Sequence, residues 1–241
     1  MQADHPLADL YARPGPDSWR RLGDGYESPI GRARKARWLL GLVIAVDVLM
    51  VVFLAMQRSL LDRGPFGFTQ SEWNASNSRI GAVAVVDLLL LAVTAILFLR
   101  WVHLSYRNLR ELRTGHLRFT PGWAVGYWFV PVLNVWRSKQ ILDDVWRATD
   151  ARADESPESW RSLPSGGLVW AWWVLLVLSS LLNIYARNTA SSVTIADTQH
   201  HNTVVIVAQL LSLATGACLF KLVGVLSTRQ DARAAARSAG A

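Results

Sequence analysis

Four separate stretches of this chain are apolar over the length that a hydrocarbon core demands. They read WLLGLVIAVDVLMVVFLAM (38–56), IGAVAVVDLLLLAVTAILFLRWV (80–102), LVWAWWVLLVLSSLLNIYA (168–186) and TVVIVAQLLSLATGACLFKLVGVL (203–226). A helix rises ~1.5 Å per residue, so about 20 residues cover the roughly 30 Å of bilayer hydrocarbon. A soluble chain rarely carries one such run. Backbone polar groups in lipid must be satisfied within their own segment, so each run is expected to be a helix. The composition agrees, with 51% hydrophobic residues and a mean hydropathy of +0.21. The expected class is an all-α integral membrane protein with four transmembrane helices in one membrane domain, residues 38–226. It lies between a disordered cytoplasmic N-terminal tail (1–37) and a short cytoplasmic C-terminal tail (227–241). The first run starts at Trp38, too far from Met1 for a cleavable leader, and reads as a retained anchor. The single cysteine, Cys218, lies in the last run and allows no intrachain disulfide. Three Lys against 22 Arg, with many Ala, point to a GC-rich bacterial source.

Basic residues near span ends stay on the cytoplasmic side. Lys and Arg number 7 in residues 1–37, 3 in 57–79, 10 in 100–167, 1 in 187–202 and 4 in 221–241. Four spans therefore leave 21 inside and 4 outside, which predicts a multi-pass plasma-membrane protein with both termini cytoplasmic. The apolar segment PGWAVGYWFVPVLNVW (121–136) tests this count. If it crossed, the tally would become 13 against 12 and the bias would vanish. Residues 123–136 as a helix would cover only about 21 Å. Pro131 removes a backbone donor and pushes Val130 from helical angles. The segment is expected to be re-entrant or interfacial, with Trp123, Trp128 and Trp136 at headgroup level. A Pro-kinked crossing helix, giving five spans, is the alternative.

Around it, HLSYRNLRELRTGH (103–116) is expected to continue the second helix. Arg107, Arg110 and Arg113 recur every third residue, either as a face for anionic headgroups or as an ordinary solvated flank. RSKQILDDVWRATD (137–150) is amphipathic, with Ile141, Leu142, Val145 and Trp146 on one side. Asp143, Asp144, Arg147 and Asp150 lie largely on the other, and Asp143 and Arg147 are spaced for a surface ion pair. Such a helix fits the interfacial plane. A polar Ser/Pro/Gly linker (151–167) leads to the third run. The re-entrant or interfacial unit spans about residues 103–150, and its candidate residues include Pro131, Asn134 and Arg137.

Residues 106–150 and the start of the third run resemble a bacterial membrane family known as domain of unknown function 4328. The resemblance rests on Asn108 and Leu109, on Pro121 to Phe129 (PGWAVGYWF), and on Pro131 with Asn134 to Arg137. Trp146 to Ala148 (WRA) and the Trp172–Trp173 pair complete it. It covers about residues 36–226. The family often has Pro after its W-R pair, where this chain has Ser138, so a Pro-initiated helix is not expected at that position. The resemblance implies a membrane class and brings no activity, substrate or site.

Polar residues inside the runs are the other candidates. Asp47 and Asp87 lie about 14 and 20 Å from their cytoplasmic ends, within roughly one helical turn in depth. With Asn183 and Gln209 they could form a polar core that binds an ion or relays a proton. The plainer account is hydrogen bonding between helices. Ala208, Ser212 and Gly216 form a small-residue seam in the last run. His200 and His201 offer no evident metal site, and no catalytic or cofactor motif occurs. The +7 charge reflects basic flanks rather than nucleic-acid binding. The expected function is a non-enzymatic module engaging membrane lipids or a protein partner at the cytoplasmic face, with self-association as a further candidate. A small ion- or proton-coupled transporter or channel using Asp47 and Asp87 is the second reading.

Overall fold

The computed structural model describes residues 25–64, 66–112, 114–154, 159–189 and 194–239. Six α-helices account for most of them: α1 (Ile30–Leu61), α2 (Gln70–Glu111), α3 (Pro121–Gly126), α4 (Pro131–Ala148), α5 (Gly167–Asn188) and α6 (Ile195–Ala239). Four of these, α1, α2, α5 and α6, are long and apolar enough to cross a membrane. They contain the four runs read from the sequence. No strand occurs among the described residues.

α1 packs along both α2 and α6, and α5 packs along α6, so the long helices stand in the order α2, α1, α6, α5. α2 and α5 make no extensive contact. The small-residue seam works as its composition allows. Gly216 faces Ile44, where an added Cβ would lie 3.3 Å from Cγ1, and Ala208 is buried. Close helix approach of this kind needs small side chains.

Three helices outrun their apolar segments. α2 continues to Glu111 because its extension is covered on several sides: Leu104, Tyr106 and Leu109 point in different directions around the helix and are all wholly buried. α6 continues to Ala239 with Leu226, Gln230 and Arg233 buried at successive turns. α1 begins at Ile30, burying Ala33 and Ala36. The two tails therefore differ from the sequence expectation. Residues 25–37 are ordered and residues 227–239 are helical, because each pairs with the other. Tyr26 and Ser28 both donate to Asp231, at 2.6 and 2.8 Å. The basic composition of both segments concealed this docking. Residues 1–24 of the expected tail lie outside the described residues.

The segment 121–136 forms no single long helix. Thr120 caps α3 by accepting from Trp123 N–H, and Pro121 opens it. A 3-10 turn, Tyr127–Phe129, follows, and then Val130 is extended at φ −98°, ψ 108°. That geometry is what a residue before proline must adopt. Pro131 then opens α4 at a position where its missing N–H is harmless. The chain reverses here, since Arg137 on the returning arm lies over the rings of Phe119 and Tyr127, at 5.4 and 5.5 Å. α3 and α4 are thus a helical hairpin. Ser138 sits wholly buried in mid-helix, because the initiating proline is Pro131, seven residues earlier.

The dense core gathers at the hairpin end of the bundle. Trp101, Tyr106, Leu109, Ile141, Leu142, Trp160, Trp172, Leu222 and Leu226 belong to one buried cluster. Within the apolar windows of the long helices only 17–22% of residues are buried, so most of their side chains face outward. Trp160, in the second short turn of the linker (Ser159–Ser162), donates to Gly115 O at 3.0 Å and pins that loop. A buried Trp removes roughly 150–250 Å² from water, on the order of 4–6 kcal/mol gross.

Gly166 shows how tight the linker end is: an added Cβ would lie 2.3 Å from the Trp146 ring, while Gly167 has open space. Gly166→Ala is expected to cost about 1–3 kcal/mol by overpacking. Gly167→Ala, in the first turn of α5, should be neutral or slightly stabilising. Melting of the detergent-solubilised pair checks this, and equal melting temperatures would refute it.

Candidate functional site

The hairpin end is the richest in chemistry. Tyr106, on the extension of α2, donates to Asp144 Oδ2 at 3.0 Å and accepts from Phe119 N–H at 3.2 Å. Arg118 Nε lies 3.3 Å from Asp144 Oδ1. Asp144 is completely buried, and burial pushes its carboxyl up to about 6 despite the opposing Arg118 charge. Burial, then the Asp144 charge, also holds the Tyr106 phenol well above its ordinary range. Asp143 has different partners: Arg147 at 3.0 Å and the Ser165 hydroxyl. Asp150 contacts Arg152 at 3.0 Å and Arg229 at 3.3 Å. The Arg152 hydrogen bond is the chief cause that draws Asp150 down to about 2.

This arrangement corrects the orientation read for α4. Asp143 and Asp144 are buried with Ile141, Leu142 and Val145 instead of lying on a water face. The Asp143–Arg147 pair forms, but inside the unit. Periodicity could not reveal this, because the partners Tyr106, Arg118 and Ser165 lie far away in sequence. Each carboxylate has its own cation, so the adjacent acids act as separate cross-links.

The aromatic residues divide into two groups. Trp128 lies between α2 and α5, its ring centroid 5.1 Å from that of Phe98 and 6.2 Å from that of Trp172. Trp146 is stacked beneath Arg229 at 4.4 Å. Trp123, Phe129, Pro131, Val132 and Trp136 face outward, with Val132 83% exposed. Asn134 is half-buried, and its N–H makes the first hydrogen bond of α4, to Val130 O at 2.7 Å. Arg137 donates to Gln140 at 2.8 Å. Of the three arginines spaced along α2, Arg110 is exposed and Arg107 pairs with Glu27 at 2.9 Å. Arg113 lies outside the described residues.

In the middle of the bundle, Gln209 donates to the buried Asp47. Asp87 is close enough for the two carboxyls to interact electrostatically, and one Asp87 oxygen is buried without a hydrogen-bond partner. Asn183 is not brought to this group. It is exposed and donates to Ser179 O of its own helix at 2.8 Å. A second polar layer escaped the sequence reading. Asn202 donates to Gln57 at 3.0 Å and Gln57 to Asn77 at 2.8 Å, while Arg58 donates to Gln199 O at 2.7 Å. Gln57 and Asn202 stand immediately outside the first and last apolar runs, and that edge position was the available signal. His200 and His201 lie on α6, beside the Tyr185 and Thr189 hydroxyls. Among the described residues, no three His, Cys, Asp or Glu side chains are grouped to hold a metal.

Four long helices, each apolar enough to cross a membrane, and a Trp-rich hairpin define an all-helical class. The chain belongs to the family described as Domain of unknown function (DUF4328), which matches residues 67–228 and so includes α2, the whole hairpin, α5 and most of α6. No curated protein and no solved structure matches.

The folded chain holds the Asp144 proton more tightly than an ordinary carboxyl does. Its stabilising contribution is complete below the ordinary carboxylate value of about 4 and is lost as pH rises through about 6. The melting temperature in detergent is therefore expected to rise between about pH 7.5 and about pH 5.5, and Asp144→Asn should flatten that rise. An unchanged slope in the variant would assign the effect to another group.

Proposed function

We propose that this chain is a non-enzymatic, multi-pass membrane module, with both termini cytoplasmic, whose hairpin unit engages phospholipid headgroups of the cytoplasmic leaflet. One observation carries the reading. The hairpin leaves Trp123, Phe129, Val132 and Trp136 bare on the outside while its other side is anchored in the best-buried core of the molecule. A patch of that kind marks an interaction surface. Its neighbours suit a headgroup layer. Arg34, Lys35, Arg100 and Lys221 are all exposed at or beside the hairpin-side ends of the apolar runs in α1, α2 and α6. A basic collar beside Trp side chains is the chemistry of an inner membrane boundary. The contact of Trp128 with Phe98 sets the hairpin tip beside the last turns of the apolar part of α2. On this reading the hairpin is re-entrant by a shallow margin, dipping below the headgroups and returning, and that contact supports it. The uneven distribution of basic residues, 21 against 4, supports this orientation.

The test is depth. A nitroxide on Val132→Cys, in a Cys218→Ser background, is expected to collide with oxygen more than with a water-soluble nickel complex in anionic liposomes. A nitroxide on the exposed Ser162→Cys should show the reverse. Water-like behaviour at position 132 would refute the reading.

A second reading is supported by the Asp47–Gln209 bond beside Asp87, whose unpartnered oxygen leaves a proton or cation an available ligand. Under it, reconstituted protein conducts protons or a monovalent cation, and Asp47→Asn or Asp87→Asn abolishes the flux. Proteoliposomes no leakier than empty vesicles would exclude it.

A further inference from the structure

Lys139 is the anomaly of the hairpin unit. It lies on α4, only 8% exposed, with its ammonium 3.7 Å from the centre of the Trp170 ring. A lysine ammonium carries three donors and no acceptor. Among the described residues none of the three finds an oxygen, and no carboxylate pairs with it. The nearest acid in sequence on its own helix face, Asp143, is held by Arg147 and Ser165. A ring face recovers about 0.5–2 kcal/mol for a cation, and the ammonium, which still reaches solvent, keeps its three donors available to a ligand.

The charge around it is also unbalanced. Arg118 and Arg147 face Lys139 together with Asp143. Asp144, the other acid paired there among the described residues, forms an ion pair with Arg118, and burial raises its pKa. Three cations thus meet at most two carboxylates, and burial first of all lowers the pKa of Lys139. An anion would balance this charge and accept from the open ammonium.

The surroundings say what kind of anion. The open side of the ammonium is apolar. Trp170 and Trp136 are 44% and 52% exposed, and Val135 is 44% exposed. Trp173 stands edge-on to both indoles, with centroids at 5.6 and 6.0 Å, and is fixed by donating to Val135 O at 2.7 Å. A free anion gains nothing from such walls, whereas an anion carried on acyl chains does. Trp170 lies in the first turn of α5, which has no side-chain cap, so the positive end of that helix dipole adds to the same spot.

We propose that Lys139, walled by Trp136, Trp170 and Trp173, binds the phosphate of a glycerophospholipid whose glycerol and first methylenes lie against the indoles. This rests on the cytoplasmic-leaflet reading above and names the residue that holds the headgroup. Charge-assisted hydrogen bonds to phosphate contribute enough that losing the ammonium should weaken binding about tenfold or more.

The experiment is a melting titration of the full-length protein in a neutral maltoside detergent. The additives are dioleoylphosphatidylglycerol, dioleoylglycerol or inorganic phosphate. The wild type is expected to gain stability saturably with the phospholipid alone. Lys139→Gln should need about tenfold more phospholipid, and Lys139→Arg should stay near the wild type. Should Lys139→Gln fail to fold, Trp170→Leu replaces it, with severalfold weaker binding expected. An identical titration by the variant used overturns the proposal. A response to inorganic phosphate or to dioleoylglycerol equal to that of the phospholipid overturns the lipid-phosphate assignment. Lipid-like depth at position 132 with no effect of Lys139 would sink this inference and leave the leaflet reading standing.

Discussion

In the bilayer we propose for this chain, apolar side chains gain nothing by leaving lipid for protein, so the hydrophobic effect cannot draw the four long helices together. It acts only where water is the alternative, at the hairpin end. There Trp101 donates to Ser227 at 2.9 Å and Gln230 to Ser105 O at 2.9 Å, tying α2 to α6 inside a water-excluding core. Tyr106 ties α2 to α4 through Asp144. The rest of the structure depends on this knot. It sets the mutual depth of α1, α2 and α6, and hence which polar groups meet farther along them. Asp47 can find Gln209, and Gln57 can find both Asn77 and Asn202, because the helix register is already fixed below.

The knot also explains how the hairpin holds an exposed apolar surface without collapsing. Its inner residues are locked by specific polar partners, each buried carboxylate meeting its own arginine. Its outer residues are left with none. The indole of Trp173, bound to the backbone of α4, carries that order from the core to the surface beside Lys139. Rigidity within and bareness without are what a binding surface requires, because little ordering remains to be done when the ligand arrives.

The long helices were legible in the sequence because twenty apolar residues in succession have few other meanings. That residues 121–136 form no single long helix was legible from Pro131, but their folding with α4 into a helical hairpin was not. Nor were the extensions. Residues 25–37 and 227–239 look like solvated tails because they mix arginines with small residues and hold no apolar run, and the burial of Ala33 depends on Leu222 and Leu226, nearly two hundred residues away. The same holds at the candidate site. Asp143 and Asp144 are spaced like surface residues, and only the tertiary arrival of Tyr106 and Arg118 makes their burial tolerable. Asn183 failed in the opposite direction: an amide inside an apolar run can satisfy itself on the carbonyl four residues back and need not join a core. Lys139 gave no local signal, because its environment is assembled from two helices.

The order α2, α1, α6, α5 leaves α2 and α5 apart, and only at one end does the hairpin fill the space between them, with Trp128 touching both. In the proposed bilayer orientation the molecule is therefore broader in one leaflet than in the other: helices α3 and α4 add their cross-section at the base, and among the described residues no further helix matches them at the far end. An inclusion of that outline displaces unequal lipid area in the two leaflets. Its energy is then coupled to local membrane curvature, so a bilayer bent to accommodate the broader end holds the chain at less cost than a flat one.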